Sequence, residues 1–274
     1  MASHPFRAAS QAARARSFDG AAAQYAANRP AYPPALFDAV EALADRPLTG
    51  AEVVDVGAGT GIATGLLHAR GADVLAVEPG PGMAAEFRRV HPHLPIVRGS
   101  GEALPLATAS ADFVTYAQSW HWTDPSRSVP EALRVLRPGG ALALWWNTEA
   151  LDVPWIEASA RRAERFFGID QVVERNGSGA RAALALAARS GGSRPLTAEP
   201  GGRLSFERRH VRWSRRVPID MRLANIGSHS AFLVLGEEAA GAYFAEEREH
   251  LLRAFPEGTV EETYVVDLLV ATRS

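Results

Sequence analysis

Apolar residues in this chain follow two patterns that alternate between residues 52 and 146. Short continuous runs (Val53-Val54, Val74-Leu75-Ala76-Val77, Ile96-Val97, Phe113-Val114, Ala141-Leu142-Ala143-Leu144) are separated by stretches in which apolar residues recur every three or four positions. A continuous run suits a strand covered on both faces, and the three-four spacing suits a helix with one buried stripe. The pattern predicts strands near Glu52–Val56, Asp73–Val77, Ile96–Arg98, Asp112–Ala117 and Ala141–Trp146. It predicts helices from Thr60, over Pro81–Val90 and over Pro125–Leu136, while Pro33-Pro34 opens an earlier helix that runs through Leu43. Such alternation gives an α/β fold, a parallel sheet with helices on both faces.

After Asn147 the pattern loosens. An amphipathic helix is expected over Val153–Phe167. Asn176-Gly177-Ser178-Gly179 and Gly191-Gly192-Ser193 bracket an alanine-rich segment that reads as a mobile insert. Alternation over Leu204–Trp213, a helical stretch over Glu237–Ala254 and an apolar run over Thr263–Val270 bring the sheet to seven strands. No internal repeat is present. The expected organisation is an N-terminal lid and entry helix (1–46), a ligand-binding core (47–150), a cap or insert (151–202), and a C-terminal part (203–274) completing the same sheet.

The segment Val53-Val54-Asp55-Val56-Gly57-Ala58-Gly59-Thr60-Gly61 joins the first strand to its helix through three alternating glycines. Glycines so spaced let the chain turn sharply and leave bare main chain for a ligand to lie against. Glu78 ends the next strand, where a carboxylate can receive ribose hydroxyls. Nicotinamide dinucleotides and S-adenosylmethionine are both bound this way. A dinucleotide fingerprint needs its third glycine at position 62, which is Ile62. The pattern Asp55-x-Gly57-x-Gly59-x-Gly61 instead resembles motif I of class I S-adenosylmethionine-dependent methyltransferases.

Further words carry the same resemblance in order. Val77-Glu78-Pro79 matches the place of the family's ribose-binding acid. Ser100-Gly101-Glu102-Ala103-Leu104-Pro105 resembles its loop after the third strand, with Ser100 where many relatives have Asp for the adenine amino group. Leu136-Arg137-Pro138-Gly139-Gly140 matches its turn into the fifth strand. The words Phe18-Asp19-Gly20 to Tyr25, Asn28-Arg29-Pro30-Ala31-Tyr32 and Gln118-Ser119-Trp120-His121-Trp122 look like the type 11 and trans-aconitate-type small-molecule subgroup.

The resemblance implies a Rossmann-like seven-stranded sheet, mostly parallel with an antiparallel last strand. It implies S-adenosylmethionine as cofactor, contacted by Tyr25, Arg29, Asp55, Gly57, Ala58, Gly59, Glu78, Pro79, Met83, Ser100, Gly101, Glu102 and Gln118. The implied reaction is in-line methyl transfer to a small acceptor, on oxygen. The alternatives are a cyclase or binding protein on the same fold, and then a nicotinamide reductase. Asp55 is expected to order its own loop through bonds to backbone N–H groups. Arg29 offers a planar fork suited to the carboxylate of the cofactor's methionine end.

Composition narrows the partners. A formal net charge of −2 exerts no general pull toward nucleic acid or anionic membrane, and the positive charge is all arginine. Zero cysteine excludes disulfides, thiolate metal sites and a cysteine nucleophile. No apolar stretch approaches the roughly 18–20 residues of a membrane span. The arginines at 7, 14 and 16 lead into no apolar run, so no signal peptide and a cytoplasmic location are expected.

On the acceptor side, Trp120, His121, Trp122 and Trp146 are the expected substrate contacts. His121 is the candidate catalytic residue, as a base for an acceptor hydroxyl or as an orienting group for a carboxylate. Alternation sends Trp145 and Trp146 to opposite faces, so at most one lines the rim. His91 and His93 lack a third matching ligand; they are expected in a solvated turn, with no metal bound. Arg208, Arg209, Arg212, Arg215 and Arg216 are expected on a solvated strand face or docking an anionic substrate, and not nucleic acid.

Overall fold

The structure, a computed structural model, describes residue 20 and residues 22–168, 204–235 and 237–274. Met1–Ser17 and the insert expected between Asn176 and Ser193 lie outside them. The strands are β1 (Glu52–Val56), β2 (Asp73–Glu78), β3 (Ile96–Arg98), β4 (Ala111–Ala117), β5 (Leu136–Glu149), β6 (Glu207–Pro218) and β7 (Thr259–Thr272). They form one seven-stranded sheet in the order β3-β2-β1-β4-β5-β7-β6. The first five are parallel, with Val53 opposite both Val74 and Phe113 and with Phe113 opposite Ala141. β7 runs antiparallel to its neighbours. The Gly139 N–H donates to Arg273 and the Ala150 N–H to Thr263, while Arg208 pairs with Asp267 and Arg215 with Glu262. The expected Rossmann-like topology is therefore the one observed.

The helices are α1 (Ala22–Asn28), α2 (Pro34–Ala44), α3 (Ile62–Ala69), α4 (Pro81–Val90), α5 (Pro125–Val135), α6 (Pro154–Phe166), α7 (Ile219–Gly227), α8 (Ser230–Leu235) and α9 (Glu237–Ala254). Four of them, α2, α4, α5 and α6, open on a proline at the first helical position, where a missing N–H costs nothing.

Boundaries moved where tertiary contacts decide them. The helix after the glycine turn starts at Ile62 rather than Thr60, because Gly61 holds the N-cap at φ +90°. β5 begins five residues early, at Leu136 instead of Ala141, because Gly139 and Gly140 bond to Arg273, the residue after β7. β6 starts at Glu207 and runs on to Pro218, since ion pairs to β7 carry it past Trp213. Local pattern did not reveal α1, α7 or α8.

The chain divides into two compact units. One comprises Ala31–Thr148, Leu196–Arg212 and Val265–Ser274. Its core is fully buried at Phe113, Val114, Leu142, Leu144 and Trp145. Trp145 meets Tyr32 and Phe37 edge-on at 5.9 and 6.3 Å, on one face of the sheet. Burying such side chains contributes about 1.5–3 kcal/mol each. The other unit comprises Met1–Pro30, Glu149–Pro195 and Trp213–Tyr264. Its aromatic cluster joins Phe166, Phe167, Phe232, Tyr243 and Phe244. Arg222, 2% exposed, faces Glu149 and Glu262 and lies over the Trp155 ring.

Candidate functional site

The strand order reverses between β1 and β4, and the carboxyl ends of the strands there open the crevice in which such sheets bind ligands. The glycine turn leaves β1 at this point. Gly57 and Gly59 have φ of +68° and +58°, a region costly for any residue with a Cβ. The N–H groups of Gly57 and Ala58 donate to Val77 at 2.8 and 3.2 Å, fastening the turn to β2. The two glycines answer different demands. A Cβ at Gly57 would lie 2.5 Å from the Ser119 Cβ, whereas one at Gly59 would meet no atom of the described residues within 4 Å. Gly57 is thus a packing glycine, and Gly59 leaves open space beside the main chain.

Glu78 is only 6% exposed. Its carboxylate accepts from the Gly59 N–H at 2.8 Å through Oε2 and from the Gly80 N–H at 2.6 Å through Oε1. One side chain thereby orders both the glycine turn and the entry to α4. Pro79 follows it, exposed, and Met83 on the first turn of α4 is buried.

Asp55 differs from expectation. It is fully buried and accepts from the Thr64 hydroxyl at 2.6 Å and the Thr115 hydroxyl at 2.9 Å, not from backbone N–H groups. Burial pushes its carboxyl up to about 6, against the pull of the two hydroxyls. Its role is to tie β1 to α3 and β4 beneath the turn. Thr64, Thr115 and Ser119 are the residues that the motif did not reveal, as a bonded hydroxyl leaves no periodic trace.

The other rim loops interlock with this turn. Ser119 Oγ donates to the Val56 carbonyl at 2.5 Å, so the loop after β4 touches the loop after β1. Gln118 adopts φ +57°, unusual for a side-chain-bearing residue, with its side-chain amide donating to the Asn147 carbonyl at 3.0 Å. After β3, Ser100 and Ala103 form an isolated bridge. Glu102 accepts from the Asp124 N–H at 2.9 Å. A Cβ at Gly101 would lie 2.9 Å from the Tyr116 hydroxyl, which is buried with no hydrogen-bond partner among the described residues.

Trp120, His121 and Trp122 form a single 3-10 turn after β4. Trp120 is buried, edge-on to Tyr116 at 4.8 Å. The half-exposed His121 ring lies 4.9 Å from Trp122, and its Nδ1 accepts from the Trp146 indole N–H at 3.3 Å. Trp146 therefore faces His121 while Trp145 faces Tyr32 and Phe37, the split that alternation requires. Tyr25 and Arg29 belong to the other unit. There the Arg29 guanidinium lies 4.8 Å above the Tyr25 ring and donates to the Ser228 carbonyl, and its buried Nε has no partner among the described residues.

One further expectation is corrected. His91 is not in a solvated turn: its ring packs against Phe87 and over Gly61 and Gly65, where a Cβ would come within 2.5 and 2.7 Å of it. Burial lowers its pKa. His93 is exposed. The arginine run is largely answered by the neighbouring strand, since Arg208 pairs with Asp267, Arg215 with Glu262, and Arg216 donates to the Thr259 hydroxyl. This leaves less of it for an anionic ligand. Among the described residues no three side chains gather that could hold a metal, and no helix is long and apolar enough to cross a membrane.

Comparison with known proteins agrees with this geometry. Residues 54–144 match the family model described as a methyltransferase domain. An uncharacterized methyltransferase of Mycobacterium tuberculosis is 44% identical over 140 residues, covering 51% of this chain and 56% of its own length. An uncharacterized methyltransferase-like protein of Schizosaccharomyces pombe is 34% identical over 154 residues, 55% of this chain and 59% of its own. The chain thus spans little more than half of these curated relatives. A solved structure from Anaeromyxobacter dehalogenans, provisionally assigned as a type II methyltransferase, is 27% identical with a TM-score of 0.64, covering 89% of this chain and 97% of its own. Residues 54–144 of this chain are thus similar to a methyltransferase domain.

Proposed function

We propose that this protein is an enzyme that transfers a methyl group from S-adenosylmethionine to an oxygen of a small organic acceptor, in the cytoplasm. The observation that carries this reading is the Glu78 carboxylate holding the Gly59 N–H beside open space at the strand-order switch. The residues present fit the cofactor. Gly59 leaves room that a Cβ would fill, and the Thr60 hydroxyl beside it is buried with no partner among the described residues.

Glu78 would receive the ribose hydroxyls, with Pro79 and Met83 flanking them. Gly57, Ala58 and Gly59 would bound the methionine part, on a turn that Asp55 steadies from below. Ser100, Gly101 and Glu102 would face adenine through main-chain groups, because a serine replaces the family's acid. Gln118 closes the rim. Tyr25 and Arg29 belong to the other compact unit, and no part in this site is assigned to them. When bound, the cofactor supplies a methyl group on a positively charged sulfur. The protein's share is to bind, to align donor and nucleophile, and to exclude water. Trp122 supplies apolar surface for the acceptor, Trp120 and Trp146 are buried and support it from the core, and His121 contacts its oxygen.

Isothermal titration with S-adenosylmethionine and S-adenosylhomocysteine tests the reading. Micromolar binding that Glu78→Ala weakens is expected. Absence of binding by the intact chain would overturn it.

A further inference from the structure

The contact between Trp146 and His121 decides which chemistry the imidazole can offer. An indole nitrogen is a donor only, so the Nδ1 that receives it at 3.3 Å must present a lone pair. Trp146 is 9% exposed and packed in the core beside Trp120, Leu204 and Leu269. A buried N–H there is costly to leave unmade, so the indole selects the imidazole form that can accept from it. A neutral imidazole carries one proton, and with Nδ1 accepting, that proton sits on Nε2. A second proton on Nδ1 would bring two N–H groups face to face.

We infer that Trp146 is a positioning residue that locks His121 in its Nε2–H form, making His121 a hydrogen-bond donor to the methyl acceptor and not its general base. This inference rests on the proposed methyl transfer and sharpens it. In that form Nε2 has no lone pair with which to take a proton, and the Nδ1 lone pair is engaged by the indole. The group that fits His121 is an anionic or carbonyl oxygen, which accepts a hydrogen bond and surrenders no proton to it. The methyl-accepting atom therefore loses no proton to His121. The rim geometry agrees: His121 lies two residues beyond Ser119, whose side chain touches the cofactor turn at Val56 and Gly57.

The test is long-range proton–nitrogen NMR of the intact, 15N-labelled protein at neutral pH. His121→Gln identifies the His121 signals among the eight histidines by their disappearance. The wild type is expected to show His121 as the Nε2–H tautomer in at least a tenfold excess. Trp146→Phe keeps an aromatic ring and removes the donor. It should bring the two tautomers to comparable populations, and raise the fraction of imidazolium at any mildly acidic pH. A wild-type His121 in the Nδ1–H form overturns the inference, whether or not Trp146→Phe folds. So does a tautomer ratio unchanged by Trp146→Phe in a protein whose melting curve shows it folded. Neither readout depends on turnover, so failure of this inference is separable from failure of cofactor binding in the titration above.

Discussion

The Glu78 carboxylate accepts the Gly59 N–H at 2.8 Å, joining the end of β2 to the turn that leaves β1. The acid and the glycine turn, 19 residues apart in sequence, are thereby one device. A charge-assisted bond of this kind is stronger than a neutral one and fixes the turn before any ligand arrives.

Removing that carboxylate should cost affinity more than fold. A hydrogen bond to a charged group contributes about 1.5–3 kcal/mol. Glu78→Ala is therefore expected to weaken S-adenosylhomocysteine binding about 10- to 100-fold. Isothermal titration reads the loss. An affinity within about twofold of wild type, well under the 1.4 kcal/mol of a tenfold change, would remove the ribose assignment.

Gly57 and Gly59 should fail in different ways. Each alanine pays about 1–2 kcal/mol for its left-handed backbone. Gly57→Ala also drives its Cβ into Ser119, adding about 1–3 kcal/mol of overpacking and a lower melting temperature. Gly59→Ala meets no atom of the described residues, so it should melt closer to wild type while losing cofactor affinity. Paired melting and titration of the two variants would show this crossover.

Asp55 makes stability depend on pH. Its carboxyl is raised from 3.8 to about 6 in the folded protein, so the fold binds a proton that the unfolded chain has already released. Stability contributed by this group is full below about pH 4 and is lost as pH rises to about 6. The loss is about 3 kcal/mol, two pKa units at 1.36 kcal/mol each. Asp55→Asn should flatten that slope. Urea melts of both proteins between pH 4 and 7 would measure the difference, and parallel curves would refute it.

Arg222 is held between Glu149 and Glu262 with almost no exposure. Truncating it removes the cation that Glu149 and Glu262 share, although Glu262 keeps Arg215, and breaking such a buried pair costs about 3–5 kcal/mol. Arg222→Ala should lower the melting temperature sharply. Adding Glu149→Gln should recover part of the loss, which a double-mutant cycle would quantify.

The strand–helix alternation, the glycine turn and the acid at 78 were legible because each is written in adjacent residues. Two strand boundaries were not. β6 ran past Trp213 because Arg215 and Arg216 find partners on β7, and β5 began early because Gly139 bonds to Arg273. Asp55 was recognised as an acid in the motif, but its two threonine partners lie 9 and 60 residues away and carry no pattern. His91 read as solvated because a polar residue beside a proline usually is. Two glycines on α3 and its approach give the ring a place to pack, and only packing reveals it.

By itself, the order of apolar runs and glycines determined a seven-stranded α/β sheet with a ligand crevice where its parallel strands end. Those features follow from backbone conformation and burial, which each residue carries locally. The tertiary structure decided what the side chains in the crevice can do. It turned Asp55 into a buried brace, made Glu78 the clasp of the glycine turn, and set Trp146 against His121. Hydrogen-bond partners, unlike hydrophobic periods, are chosen by three-dimensional neighbours, so proton position and charge state emerge only once the chain has folded.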